Sequence, residues 1–158
     1  MSNQVTPDQF WPRLDKVQAG MLNVEGGRPV PMSHYPDREA NRIWFITADG
    51  TDLVESLRGG PKSARYIVAS GDGKLYARID GTASLSGNRD KLDEIWNAIA
   101  AAWFEGGKED EDLALVCVDL GEAEIWATDG GLKFLYETAK AHVTGEKPDM
   151  GDQGVLRF

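Results

Sequence analysis

Apolar residues recur along this chain at two spacings, and the change from one to the other marks its elements. In some stretches they return every third or fourth position, and elsewhere they cluster in short dense runs. Thr6, Pro7 and Gln9 form a capping-box sequence with proline at the first helical position, and Phe10, Leu14 and Val17 then share a face, so a helix is predicted from Pro7 to Gln18. The runs MLNV, VPMS and RIWFIT, separated by EGGRP and YPDREANR, predict three successive strands. TDLVESLRGG predicts one short helix with Thr51 as its cap, Leu53, Val54 and Leu57 facing inward, and Gly59 as its stop.

Two strands are then expected at about Ser63 to Ser70 and Lys74 to Leu85, joined as a hairpin by the GDGK turn. From Asn88 the positions Leu92, Ile95, Trp96, Ile99 and Trp103 keep helical spacing, which predicts one long helix. LALVCVDL and AEIWAT predict a last pair of strands around Gly121, followed by a helix over LKFLYETAKAHV and a loose tail, GEKPDMGDQGVLRF. Strands and helices do not alternate as in a parallel array, so the expected architecture is mainly β with flanking helices, an antiparallel barrel. No repeat or linker divides the chain, which reads as a single domain over 1–158, with barrel and helices in about 7–148 and a tail at 149–158.

Composition narrows the functional classes. The chain has 158 residues, enough for a core without covalent staples, and its 26 acids against 17 bases give a net charge of -9. That balance opposes binding to nucleic acid or an anionic membrane surface, so neither is expected as a partner. No run is long and apolar enough for a membrane span, and MSNQVTPDQF lacks the features of a secretory signal; a cytoplasmic protein is expected. The single cysteine, Cys117, lies in an apolar run and reads as a small buried hydrophobe.

Common catalytic groupings are missing: there is no HExxH, CxxC, GxSxG or phosphate-cradling GxxxxGK[ST], and no metal site is expected. His34 reads as an exposed turn histidine, with contact to a ligand as the lesser alternative, and KEDEDL as a solvated acidic loop. Aromatic residues stand out at element ends, in AWFEGGKEDEDL above all, where Trp103 and Phe104 meet two glycines, Lys108 and a run of acids. For Trp103 and Trp126, core packing and a ligand or subunit contact remain equally open. Lys108 either pairs with Glu109 and Asp110 or reaches a ligand.

Taken together, RPVPMS, IWFITADGTDLV, WFEGGKEDEDLALV and AEIW resemble the flavin-binding split barrels of the pyridoxamine 5'-phosphate oxidase-like superfamily, and within it the bacterial general stress proteins. The resemblance runs from Phe10 to about Pro148. It implies a six-stranded antiparallel split β-barrel that pairs as a homodimer, with FMN, or FAD as an alternative, held in clefts between subunits. It implies that Arg28, Val30, Pro31, Met32 and Ser33 lie along the flavin, that Thr47 and Thr51 meet the phosphate, and that Trp126, two residues after Glu124, contacts the partner's flavin; Arg28, Arg58 or Lys108 are the alternative sources of charge for the phosphate. Asp52 and Leu53 stand where the family's phosphate-binding arginine and lysine fall, and Lys133 lies nearest to the place of a further arginine.

The function implied is therefore a flavin-binding general stress protein, either a weak flavin-dependent oxidoreductase or a carrier. A true pyridoxamine 5'-phosphate oxidase is not expected, because its substrate-binding arginine and histidine find no match. The alternative is a non-catalytic dimer that has lost tight flavin binding and serves as an interaction module.

Overall fold

The computed structural model describes residues 4–128, 131–147 and 151–158, without the side chains of residues 99 and 131–135. The first helix, α1 (Pro7–Asp15), starts as its capping box dictates, with the Thr6 backbone N–H donating to Gln9 Oε1 at 2.9 Å. It buries Phe10, Trp11 and Leu14 and ends short of the expected Gln18. The Leu14 carbonyl at its end accepts from the Val17 N–H at 3.1 Å and from the His34 ring at 3.0 Å.

Strands β1 (Ala19–Val24), β2 (Val30–Ser33), β3 (Tyr35–Asp37) and β4 (Arg42–Ala48) follow, then α2 (Asp52–Leu57) and the hairpin of β5 (Lys62–Ala69) and β6 (Leu75–Ser86). After α3 (Arg89–Ile95) and α4 (Ala98–Trp103) come β7 (Leu113–Ala127), α5 (Gly131–Thr144) and β8 (Asp152–Arg157). The strands form one antiparallel sheet in the order β2-β1-β5-β6-β7-β4-β3, with β8 also paired to β7. The two edge strands, β2 and β3, are consecutive in the chain and joined by His34 alone, so the sheet curls into a split barrel closed by chain continuity.

Alternation explains the inner face: Ala64, Tyr66 and Val68 of β5 and Leu75, Ala77 and Ile79 of β6 are buried while their neighbours face out. Each large aliphatic side chain buried there contributes roughly 1.5–3 kcal/mol. RIWFIT is apolar at consecutive positions because both faces of β4 are covered. Ile43 and Phe45 join the barrel core, whereas Trp44 packs with Leu92 of α3, Leu115 and Cys117. Burial pushes the Cys117 thiol up to about 11, so at neutral pH it is a packed apolar group.

Several expectations are corrected. LALVCVDL and AEIWAT are one strand, β7, because Gly121 does not end it; a register shift opposite Asp80 and Gly81 bends β6 and β7 together. Gly81 cannot carry a side chain there, since a Cβ would run into the Asp119 carbonyl. The long helix expected from Asn88 is two, because Trp96 is extended and the Asn97 side chain accepts from the Ala100 N–H at 2.9 Å to start α4. The end of the supposed loose tail is β8, whose Gly154 and Val155 pair with Ile125 and Glu124. Phe158 then packs on Phe10 and Trp11 at 5.9 and 5.8 Å between ring centroids. The seven strands expected from the pattern become β1, β2, β4, β5, β6 and the merged β7, to which β3 and β8 are added.

Candidate functional site

Where β2 and β4 face each other across the split, α4 closes over them and leaves a cleft of about 340 Å³. Its walls are Pro31, Met32 and Ser33 of β2, Tyr35, Ile46 to Ala48 of β4, and Ala100, Trp103 and Phe104 from α4 and its end. Among the described residues β2 pairs only with β1, so the strand edge turned to the cleft keeps main-chain groups outside that ladder. Trp103 is 80% exposed and Phe104 is buried, so the helix end offers one aromatic ring at the surface and one within. Apolar walls with a few polar groups and an open strand edge suit a flat heteroaromatic ring.

The β2 strand is held from behind by a buried network. His34 is 6% exposed, not the exposed turn residue its sequence context predicted. Its Nε2 donates to the Leu14 carbonyl, and its Nδ1 lies 2.5 Å from the Tyr66 hydroxyl, which in turn is 3.0 Å from the Met32 carbonyl. Burial lowers the His34 pKa against the opposing pull of the Leu14 carbonyl and the Asp15 charge, so the ring is neutral at pH 7. Tyr66 reaches this position across Gly20, where a Cβ would fall 2.7 Å from the tyrosine ring.

Of the residues implied to hold a flavin, Pro31, Met32, Ser33 and Thr47 line this cleft together. Val30 lies one residue outside it on β2. Arg28 precedes the strand, with Nε 3.6 Å from Asp52 Oδ2 and both side chains largely exposed. Thr51 caps α2: its hydroxyl donates to the Ala48 carbonyl at 3.0 Å and accepts from the Val54 N–H at 3.3 Å. Its one proton is thus already committed within the chain. Leu53 belongs to the barrel core, so a lysine at that position would have to be buried.

Lys108 sits in a 3-10 turn and pairs with Asp93 of α3 at 3.0 Å rather than with its neighbouring acids. Arg58 pairs with Asp49 and Glu55, and Arg89 with Glu109. Trp126 is on the outer face of β7, half-buried, opposite Tyr76 of β6 and Gln153 of β8. The cleft end of β7, which pairs with Ile46 to Ala48, lies eleven residues earlier, roughly 36 Å of strand at about 3.3 Å per residue. Lys133 lies outside the described side chains.

The cleft also uses Tyr35, Ile46, Ala48 and Ala100, which carried no individual signal in the sequence. Outside it, the outer sheet face exposes Met21, Ile67, Tyr76 and Val155, at 36–49% each. The register places Met21 beside Ile67 and Tyr76 beside Trp126. Among the described residues no group of three His, Cys, Asp or Glu is placed to hold a metal, and no helix is long and apolar enough to cross a membrane.

The family described as Pyridoxamine 5'-phosphate oxidase like matches residues 6–149 of this chain. A structure described as a general stress protein 26 from Jannaschia sp. CCS1 is similar at 47% identity over 95% of this chain and 96% of its own, with a TM-score of 0.86. The general stress FMN/FAD binding protein of Xanthomonas citri is 30% identical over 78% of this chain and 89% of its own, with a TM-score of 0.70. A general stress family protein of Xanthomonas campestris pv. campestris is also 30% identical, over 78% and 88%, with a TM-score of 0.69. No curated protein matches the chain.

Proposed function

The chain belongs to the pyridoxamine 5'-phosphate oxidase-like family, and from that premise we propose that it is a flavin-binding general stress protein that holds FMN, or the larger FAD, in the β2–β4–α4 cleft of a cytoplasmic homodimer. The observation that carries this reading is the cleft itself, where Pro31 to Ser33, Thr47 and Phe104 face one another across the split. The 30% identical Xanthomonas citri protein, described as FMN/FAD binding, supports it.

The ring portion of a flavin fits these walls by chemistry and size. A space of about 340 Å³ is near the lower end of the range for small-molecule pockets, so the phosphate tail extends beyond it. On this chain the tail meets Arg28, whose exposed side chain is only loosely tied to Asp52, and the Thr47 hydroxyl. A second copy supplies the rest: its Trp126 is too far along β7 to serve the cleft of its own chain. The outer face around Met21, Ile67, Tyr76 and Trp126 is the surface that pairs.

When bound, the flavin supplies the electron-accepting ring. The chain's own residues orient it along the open β2 edge, exclude water through Phe104 and Ala100, and hold β2 in place through Tyr66 and His34. The second reading, a dimer without tight flavin binding, draws on Asp52 and Leu53 and on the committed proton of Thr51. Titration of FMN and of riboflavin, followed by flavin fluorescence, separates the two. Tighter binding of FMN supports a phosphate contact at Arg28, and absence of binding by either ligand leaves the second reading.

A further inference from the structure

A second and larger cavity, about 590 Å³, lies between the end of α1, the start of β1 and the turn that joins β5 to β6. Its lining brings together Arg13, Lys16 and Lys74 with a single acid, Asp72. The acid is hydrogen-bonded by the turn: it accepts from the Ser70 hydroxyl at 2.8 Å and from the Lys74 backbone N–H at 3.0 Å.

The pairing of charge elsewhere sets this group apart. Every other arginine of the chain lies within ion-pair distance of a carboxylate, as expected where acids exceed bases. Arg13 has none. Its Nη1 donates to the Gln9 carbonyl at 3.2 Å, while its Nε is buried with no acceptor among the described residues. Closed to solvent, that Nε is out of a ligand's reach in this conformation; what Arg13 brings to the cavity wall is a guanidinium charge without a carboxylate partner among the described residues. Lys16 and Lys74, both exposed, carry the remaining charge; neither is within ion-pair distance of a carboxylate among the described residues, although, after the Lys74 backbone N–H and the Ser70 hydroxyl, the Lys74 charge also helps to hold the Asp72 carboxyl below its ordinary value.

We propose that this cavity is an anion site for a phosphorylated small molecule. A phosphate monoester brings about 1.5 to 2 negative charges and three acceptor oxygens, matching three cations set against one acid. Arg13 offers its charge from the cavity wall, and Lys16 and Lys74 flank it as point charges. The volume beyond a bare phosphate leaves room for the esterified group, near the polar Gln18 and Ser70. The site is built from α1 and the β5–β6 turn and does not rest on the flavin reading.

The test is a titration of isotopically labelled protein with glucose 6-phosphate, inorganic phosphate and glucose, followed by backbone amide shifts and referenced to chloride at matched ionic strength. The expected result is a saturable response at Ala19, Gly71 and Lys74 to both phosphates and none to glucose. Replacing Lys16→Met and Lys74→Met together, both at exposed positions, is expected to weaken binding by about ten-fold or more. FMN affinity in that variant is expected to stay unchanged. A response no greater than that to chloride, an unchanged phosphate affinity in the double variant, or binding of inorganic phosphate without glucose 6-phosphate overturns the proposal.

Discussion

Tyr66 and His34 share a hydrogen bond of 2.5 Å at the one residue through which the chain passes from one edge of the sheet to the other. The tyrosine hydroxyl also stands 3.0 Å from the Met32 carbonyl, so a single buried group ties α1, the crossing and the strand that forms the cleft wall. Tyr66→Phe keeps the ring and removes the donor. The expected loss is about 1–3 kcal/mol of unfolding free energy, from leaving a buried acceptor unmet, and denaturant titration measures it.

The same histidine makes stability depend on pH. Burial lowers its folded-state pKa below the unfolded value of about 6.5, so the unfolded chain binds the proton more readily. Its contribution is fully present above about pH 6.5 and is lost as pH falls towards the folded value. Unfolding free energy is expected to drop between about pH 7 and pH 5 more steeply in the wild type than in His34→Gln, which cannot titrate. Equal slopes in the two proteins would contradict this.

Phe158 closes the far side of α1. Its ring meets Phe10 and Trp11, its N–H donates to the Gly121 carbonyl at 2.9 Å, and β8 before it pairs along β7. Phe158→Ala is expected to cost about 2–4 kcal/mol, somewhat below the range for a fully buried phenylalanine. Thermal unfolding reads the effect.

On the outer face, Ile67 is 49% exposed and lies beside Met21 in the register. A charge placed there has to be desolvated if that face pairs with a second copy. Ile67→Asp is expected to convert a dimer into a 17.3 kDa monomer in sedimentation experiments, with the fold retained. A wild type that already sediments as a monomer contradicts the proposed pairing.

Much of this architecture was legible because strands and caps are local. The Thr6 capping box, the GDGK hairpin and the Thr51 cap each depend on residues within a few positions, and each stands where it was expected. The features that escaped depend on distant partners. Apolar spacing from Leu92 to Trp103 continues straight through the break at Asn97, whose amide also donates to the Tyr35 hydroxyl at 3.2 Å. β3 and β8 are short and form because β4 and β7 offer edges to them. His34 looked like a turn residue because its two partners are 20 and 32 positions away. Lys108 stands among acids in sequence, yet the helix fold brings Asp93 closer. For the site, the resemblance pointed to Pro31, Met32, Ser33 and Thr47, whereas Ala100 carries no chemistry of its own and is found only by its position in α4.

The central claim is that a flavin ring occupies the space between β2, β4 and α4. Ser33 is exposed and lines that space, so Ser33→Trp fills it with an indole without disturbing the core. Equilibrium titration of FMN into the wild type and this variant, with sedimentation as a check on assembly, is the direct measurement. The account predicts saturable binding of one flavin per chain in the wild type and loss of binding in Ser33→Trp. Undiminished FMN affinity in the variant would contradict it.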